Sequence, residues 1–331
     1  MKLDLTSSDV MDWRRHAEGS PLYTRLAEVI ANDRELMRVL NQIEHDPAPN
    51  ILLAGVQYLL MRDPTAQLAA FYPNLARRPS PMPGVEEAFR RFVLEHEQEL
   101  VQIGRSRFTQ TNEVRRCAAL LPAIWETTAD EFHLFDVGTS AGLNLMIDRY
   151  RYRWDSVEWG DLSPVLIESA IRGQPPRPRP IAVLSRTGLD LNPLDPAQSD
   201  ERAWLESLIW PEQADRRSRL RAALEIYRLE NVELIAGDAV HTLGAILDRL
   251  PHEPVVVMHS FALNQFSSEQ RKAIDDHLRE ARVARPVWRV SMELLDWGDE
   301  APKLTIDDGS GPKVIGQAHP HGEWVELYAR P

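Results

Sequence analysis

The chain has 331 residues and a single cysteine, Cys117, so it forms no internal disulfide and offers no cysteine cluster to a metal, as in a reducing cytoplasm. It opens on no charged n-region with a following h-region, and no apolar run approaches the roughly 18 residues that a membrane span requires. It also lacks positive charge: 38 Lys and Arg against 50 Asp and Glu leave a formal charge of -12. That balance argues against non-specific binding to nucleic acid or to an anionic membrane. These absences imply a soluble, cytoplasmic protein, and the acidic balance, together with the helical cap described next, favours a small-molecule partner over nucleic acid. A hydrophobic content of 43% with 27% charged residues is that of a globular chain long enough for one large domain or two smaller ones. The oligomeric state is not legible.

Strand signals are missing up to about residue 130. Ser20-Pro21 is a helix start, with Leu22, Leu26 and Ile30 as an apolar stripe, followed after Asn32-Asp33 by Leu36, Val39 and Leu40. Ile51 to Met61 is apolar all round and predicts a buried helix. A single long helical pattern follows from Val85 to about Ile103. In Gln110-Thr111-Asn112-Glu113-Val114-Arg115-Arg116, Thr111 or Asn112 can cap a helix running to Trp125. The same polar run can instead form a lip over a ligand, with Gln110, Asn112 or Arg115 reaching in. Residues 1–130 therefore read as an all-helical N-terminal domain or cap.

The stretch that organises the remainder is Phe132-His133-Leu134-Phe135-Asp136-Val137-Gly138-Thr139-Ser140-Ala141-Gly142-Leu143-Asn144-Leu145. Its pattern predicts a buried strand to Asp136, a glycine-punctuated turn, and a helix from Leu143 to Arg149. Strand, tight turn and helix are the parts of a nucleotide-type site in an open α/β sheet. Two common phosphate loops are absent: serine stands at 140 where Gly-x-Gly-x-x-Gly needs glycine, and no lysine follows the turn. Asp136 would repel a pyrophosphate but can accept hydrogen bonds from hydroxyls or an amine. The same residues spell Gly138-x-Ser140-x-Gly142, the nucleophile elbow of serine hydrolases, which makes acyl transfer at Ser140 the rival chemistry. The helical residues 1–130 count against that rival, whose elbow follows several strands.

Past the turn, Tyr150 to Asp161 is rich in aromatics that read as packing, and Gln174 to Pro180 as an extended connector. Together they predict an insertion at about 150–180. The strand from Ile181 ends near Asp190, an acid placed to accept ribose hydroxyls, although farther from the turn than the roughly 20 residues of an ordinary dinucleotide fold. Two helices broken at Trp210-Pro211 follow, then strands at 232–236, 254–258 and 287–294 alternating with helices. Asp238 follows the first of these strands, and His259-Ser260 follow the second, at carboxyl ends. Three short strands at 303–306, 313–317 and 323–328 predict an antiparallel C-terminal edge. This alternation means an α/β fold with a mostly parallel sheet over 131–331.

On Ser20-Pro21-Leu22-Tyr23, Gln110-Thr111-Asn112-Glu113, the 138–145 turn, Gly188 to Asp195, Trp210-Pro211-Glu212, Gly237-Asp238-Ala239 and His319-Pro320-His321-Gly322, the chain resembles a bacterial family called domain of unknown function 2332. Asp136-x-Gly138-x-x-x-Gly142 is also similar to the first motif of S-adenosylmethionine-dependent methyltransferases, Asp/Glu-x-Gly-x-Gly-x-Gly, with Ser140 replacing the middle glycine. This second resemblance implies a Rossmann-like methyltransferase sheet that binds S-adenosylmethionine and releases S-adenosylhomocysteine. It implies that Asp136 and Gly138 support the methionine part, Asp190 the ribose and Asp238 the adenine amino group. Ser140, Gly142 and Asn144 stand in or just after the turn as further cofactor contacts. The aromatic-proline motif of nucleic-acid N-methyltransferases is missing after the 254–258 strand. His259 is the candidate base, with Ser260 beside it. His319 and His321, two apart in the terminal hairpin, are candidates for closing the site, without a metal. A cofactor-binding protein without methylation and an interaction protein using its helical layer are the other readings.

Overall fold

A computed structural model describes residues 4–45, 47–295 and 298–329. Its helices in chain order are α1 (Ser7–Arg14), α2 (Pro21–Asn32), α3 (Arg34–Leu40), α4 (Ala48–Arg62), α5 (Val85–Glu95), α6 (Glu97–Ser106), α7 (Cys117–Trp125), α8 (Ser199–Ser207), α9 (Ala214–Tyr227), α10 (Ala239–Arg249) and α11 (Ser268–Ala281). Its strands are β1 (Glu131–Val137), β2 (Arg151–Trp154), β3 (Val157–Trp159), β4 (Leu166–Gly173), β5 (Ala182–Asp190), β6 (Val232–Ala236), β7 (Val255–Ser260), β8 (Val287–Glu293), β9 (Lys303–Asp307), β10 (Lys313–Ala318) and β11 (Trp324–Leu327). The chain forms two compact units, Met1–Thr111 with Gln198–Ser218, and Asn112–Ala197 with Arg219–Pro331. The boundary thus falls at 111/112, whereas the sequence pattern placed it near 130, and it falls again inside α9. No helix among the described residues is long and apolar enough to cross a membrane.

The first unit is helical. Ser20 caps α2 by accepting the Tyr23 N–H, and Asp33 separates α2 from α3 by accepting those of Glu35 and Leu36. The segment 198–218 is tied in by two polar residues. Glu212 accepts the Ser20 hydroxyl and the Leu22 N–H (3.0 Å), while Gln57 of buried α4 donates to the Ser207 and Ile209 carbonyls (2.7 and 2.8 Å). The Ser20-Pro21 and Trp210-Pro211-Glu212 sequences are therefore one structural joint. The pattern from Val85 to Ile103 is two helices and not one. His96 leaves the helical conformation (φ -109°, ψ 21°), and Gly104 of the second piece closes on Ile43, where a Cβ would lie 2.7 Å from its side chain.

The second unit is a mixed α/β structure around one large, mostly parallel sheet of order β3-β2-β4-β11-β10-β9-β8-β7-β1-β5-β6. Strands β6, β5, β1, β7 and β8 are mutually parallel, so the order reverses between β1 and β7. In such sheets that reversal opens a crevice at the carboxyl ends. One face packs on α10 and α11 through Phe135, Val137, Leu189, Val255, Val257, Leu243, Ile274 and Leu278. On the other side lies α7, all nine residues of which are buried. It touches β8 and β9 as well as β4 and β11, so these strands curve around it.

Two expectations need correction here. The helix predicted over Leu143 to Arg149 is a single 3-10 turn, Leu143–Met146, because the chain turns at once into β2. The C-terminal strands are antiparallel as read, but they are no edge: β11 pairs in parallel with β4, which carries β2 and β3 beyond it. The expected insertion is therefore part of the sheet. Its aromatics do pack, with Tyr152 and Trp154 rings stacked at 5.0 Å and the Trp154 indole donating to the Ala118 carbonyl (2.8 Å).

Candidate functional site

The turn after β1 is built from left-handed backbone at alternate positions: Gly138 (φ +75°), Ser140 (φ +53°) and Gly142 (φ +74°). At Gly138 a Cβ would sit 2.6 Å from that of Ala262, so glycine is required both by conformation and by the close approach of the chain after β7. Ser140 carries the same conformation with a side chain, at a cost of about 1–2 kcal/mol. A loop of this shape can cradle an anion through its N–H groups. Here those groups are used internally. Gly138 and Thr139 donate to the Leu189 carbonyl (2.8 and 3.3 Å), Ser140 to Asp190 Oδ2 (2.8 Å) and Gly142 to the Thr139 carbonyl (2.9 Å). Asp190 also accepts from the Asn192 N–H (2.9 Å), so the acid at the end of β5 holds the turn at the end of β1.

Asn112 straddles the same turn. Its amide donates to the Thr139 carbonyl and its oxygen accepts the Leu143 N–H, each at 2.9 Å. It is a clamp on the loop and not a cap of α7. Replacing Asn112 with Ala leaves a carbonyl and an N–H without these partners and is expected to cost about 1–3 kcal/mol in denaturant unfolding. Asn112→Asp should be no better, since a carboxylate would face the Thr139 carbonyl. A loss below about 0.5 kcal/mol in both variants would show that the turn holds itself. Beneath the turn, buried Asn144 accepts the Cys117 thiol (3.5 Å) and faces α7.

Asp136 is 4% exposed and accepts the Thr139 hydroxyl at 3.0 Å. Burial pushes its pKa up to about 8, the Thr139 bond opposing this, the Asp190 charge adding to it and the Arg116 charge opposing. The carboxyl is therefore protonated at neutral pH. Arg116 is buried, lies over the Phe261 ring (4.5 Å to its centroid), and donates to the Pro320 carbonyl (3.0 Å) and towards Ser260 Oγ (3.5 Å). Phe261 has φ +54°, a second strained residue at a strand end. Ser260 shares the face of Met258, which pairs with Asp136, so both point to the α7 side.

The strand period places His259 elsewhere. It pairs with Val137 and shares the face of Val255 and Val257, opposite Asp136. Its Nδ1 bonds Glu293 Oε1 (2.7 Å), which also accepts the Ala262 and Leu263 N–H groups (2.9 and 3.2 Å). Burial raises the Glu293 carboxyl, but the His259 bond and charge and these N–H groups outweigh it and hold its pKa below the usual range. The structure thus makes His259 part of a buried support under the segment after β7 and does not bring it to the Asp136 side.

The remaining candidates separate likewise. Asp238 caps α10 by accepting the Val240 N–H (2.9 Å), next to the β5 end, where the Gly237 N–H donates to the Asp190 carbonyl (2.9 Å). Arg115 points to β4, donating to the Glu168 carbonyl (3.0 Å) and lining a cavity of about 260 Å3 with Arg153 and Glu323. Gln110 falls in the first unit. His319 and His321 form a turn whose Gly322 rests on the Arg115 backbone, and the His321 N–H donates to His319 Nδ1 (3.2 Å). Burial lowers the His319 pKa, with the Glu323 carboxylate opposing. No three His, Cys, Asp or Glu side chains converge as a metal site among the described residues. Sequence reasoning missed Arg116, Glu293, Thr139 and Phe261. The pair Arg115-Arg116 was the available signal, but a 3-10 turn over Val114–Arg116 sends the two side chains apart.

An acid-bearing turn at the order reversal of a large, mostly parallel sheet defines a class: a mixed α/β protein with a candidate site at the carboxyl ends of its central strands. The model of the family described as "Uncharacterized protein conserved in bacteria (DUF2332)" matches residues 13–327, and the chain belongs to this family. Comparison with curated proteins finds no match.

Proposed function

We propose that this protein binds S-adenosylmethionine across the carboxyl ends of β1, β5 and β6 and transfers its methyl group to a small-molecule acceptor. The observation that carries this is the row Asp136, Asp190, Asp238, one acid at the end of each of three adjacent parallel strands. The ligand presents hydrogen-bond donors at three separated places, an ammonium, a ribose diol and an adenine amine, and no phosphate. Three acceptors in series suit it, whereas a turn whose Gly138, Thr139, Ser140 and Gly142 N–H groups are already bonded suits a phosphate poorly. When bound, the cofactor supplies a methyl group on a cationic sulfur.

The chain's own residues then have these tasks. Asp136 takes the ammonium and gives up its proton. Asp190 accepts from the diol and Asp238 from the amine. Arg116 and Ser260, on the Asp136 face, orient the acceptor, and proximity supplies most of the rate. Calorimetric titration with S-adenosylmethionine and S-adenosylhomocysteine tests the reading. Micromolar binding that Asp190→Ala abolishes is the expected result, and no binding at millimolar ligand would overturn it. A second reading, acyl transfer at Ser140, is favoured by the left-handed backbone of that serine within Gly-x-Ser-x-Gly. It requires Ser140→Ala to abolish activity; the methyltransferase reading requires that variant to be tolerated far better than Asp136→Ala.

A further inference from the structure

At the amino-terminal end of the sheet, on the face opposite Asp136, lies a second group of chemically capable side chains. Ser185 Oγ and His133 Nδ1 are 2.7 Å apart, and His133 Nε2 is 3.6 Å from Glu253 Oε2. His133 is 6% exposed, with its Nε2 making no hydrogen bond, while Ser185 is partly open to solvent. The pairing of β1 with β5 slips one residue between Phe132 and His133, and this irregularity sets Ser185 opposite His133. Bulges of this kind re-aim side chains and are frequent beside active sites. Ser185 and His133 line a cavity of about 570 Å3 whose other walls are apolar at Val183, Leu184 and Leu250 and charged at Arg149, Glu230 and Glu233. β6 pairs β5 only from Arg186 onwards, which leaves the approach to Ser185 unblocked by a neighbouring strand.

We infer that Ser185, His133 and Glu253 form a second, hydrolytic site, acting on carboxylic esters with a short apolar acyl group. The order hydroxyl, imidazole, carboxylate is that of a serine nucleophile, its base and the group that orients the base. Ser185 Oγ bonds to the ester carbonyl carbon while its proton passes to His133 Nδ1. The C–O bond to the alcohol then breaks, and the departing oxygen takes that proton. Water, losing a proton to the same nitrogen, attacks the acyl-serine and releases the acid and the free hydroxyl. Glu253 is a positioning residue: at 3.6 Å it is too long for a hydrogen bond to neutral imidazole but faces the cation formed during the reaction. Val183, Leu184 and Leu250 offer an apolar wall to the acyl group, and the Asn231 amide is a donor for the carbonyl oxygen.

The test is a fluorophosphonate probe on the full chain, with mass spectrometry to locate the modified serine, alongside hydrolysis of p-nitrophenyl acetate. The proposal expects label on Ser185 and a rate that falls at least about 100-fold in Ser185→Ala and in His133→Gln. Ser185→Cys should recover an acyl-enzyme, now a thioester, which shows that the site is folded and competent. Glu253→Gln should keep the label but lower kcat with KM unchanged, because the imidazolium formed during the reaction loses its counter-charge. Label on Ser140 instead, label spread over surface serines, or no label on the folded protein would each overturn the proposal.

Discussion

Asp136→Asn should make the protein more stable at neutral and alkaline pH. Below about pH 3.8, the ordinary value, Asp136 is protonated in both folded and unfolded chains and contributes no difference. Between that pH and about 8 the unfolded carboxyl ionises while the buried one holds its proton, so stability falls as pH rises and levels off above the folded pKa. The accumulated loss is roughly 5 kcal/mol by pH 8. An amide is neutral at every pH and can still accept the Thr139 hydroxyl, so the variant should escape this loss. Denaturant unfolding of both proteins from pH 5 to pH 9 measures it, and parallel curves would refute a neutral Asp136. The same substitution should weaken S-adenosylmethionine binding by about 100-fold, since an amide cannot become the counter-ion of an ammonium. Wild-type affinity should climb with pH up to about 8, and the binding heat should depend on the buffer because a proton is released. Stability gained where binding is lost is the signature of a group kept under strain for a ligand.

Gly322→Ala should be among the most damaging small substitutions in the second unit. Gly322 has φ +73°, and a Cβ there would lie 2.2 Å from the Arg115 carbonyl oxygen and 2.6 Å from its carbon. These are backbone atoms, so no side chain can swing aside. Left-handed strain and forced displacement together amount to about 3–5 kcal/mol. The turn that moves contains Pro320, whose carbonyl holds Arg116, so the guanidinium should also leave Ser260 and the Phe261 ring. Unfolding measurements should show the loss, and Arg116→Ala should reproduce any effect on ligand binding without the full loss of stability. A Gly322→Ala protein within about 1 kcal/mol of wild type would mean that the turn does not rest on the Arg115 carbonyl.

Much of the sheet was readable because strands buried on both faces, such as Pro254 to Met258, are short apolar runs with helices between them. The turn after β1 was equally plain from its glycines. What escaped was information carried by partners distant in sequence. β4 has the pattern of a half-exposed loop until β11, over 150 residues later, is set beside it. Asp190 stands far from the turn in sequence because β2, β3 and β4 intervene, yet it touches the turn directly. His259 looked like a site residue because it ends a strand. Its alternation with Val255 and Val257 was visible, but only α10 and α11 decide which face is covered. Arg115 and Arg116 differ by one position, and local 3-10 geometry chose between them.

The sheet that curves around α7 has a consequence for how the chain acquires its structure. β2, β3 and β4 pair with one another early, but β4 has no neighbour on its other side until β11 pairs with it. Until then α7, apolar on every side, is only half covered. Pairing β11 with β4 closes a span of about 150 residues, a non-local contact of the kind that slows folding. A nascent chain would hold α7 and the β2–β4 edge exposed until residues 324–327 leave the ribosome, and chaperone binding should concentrate there.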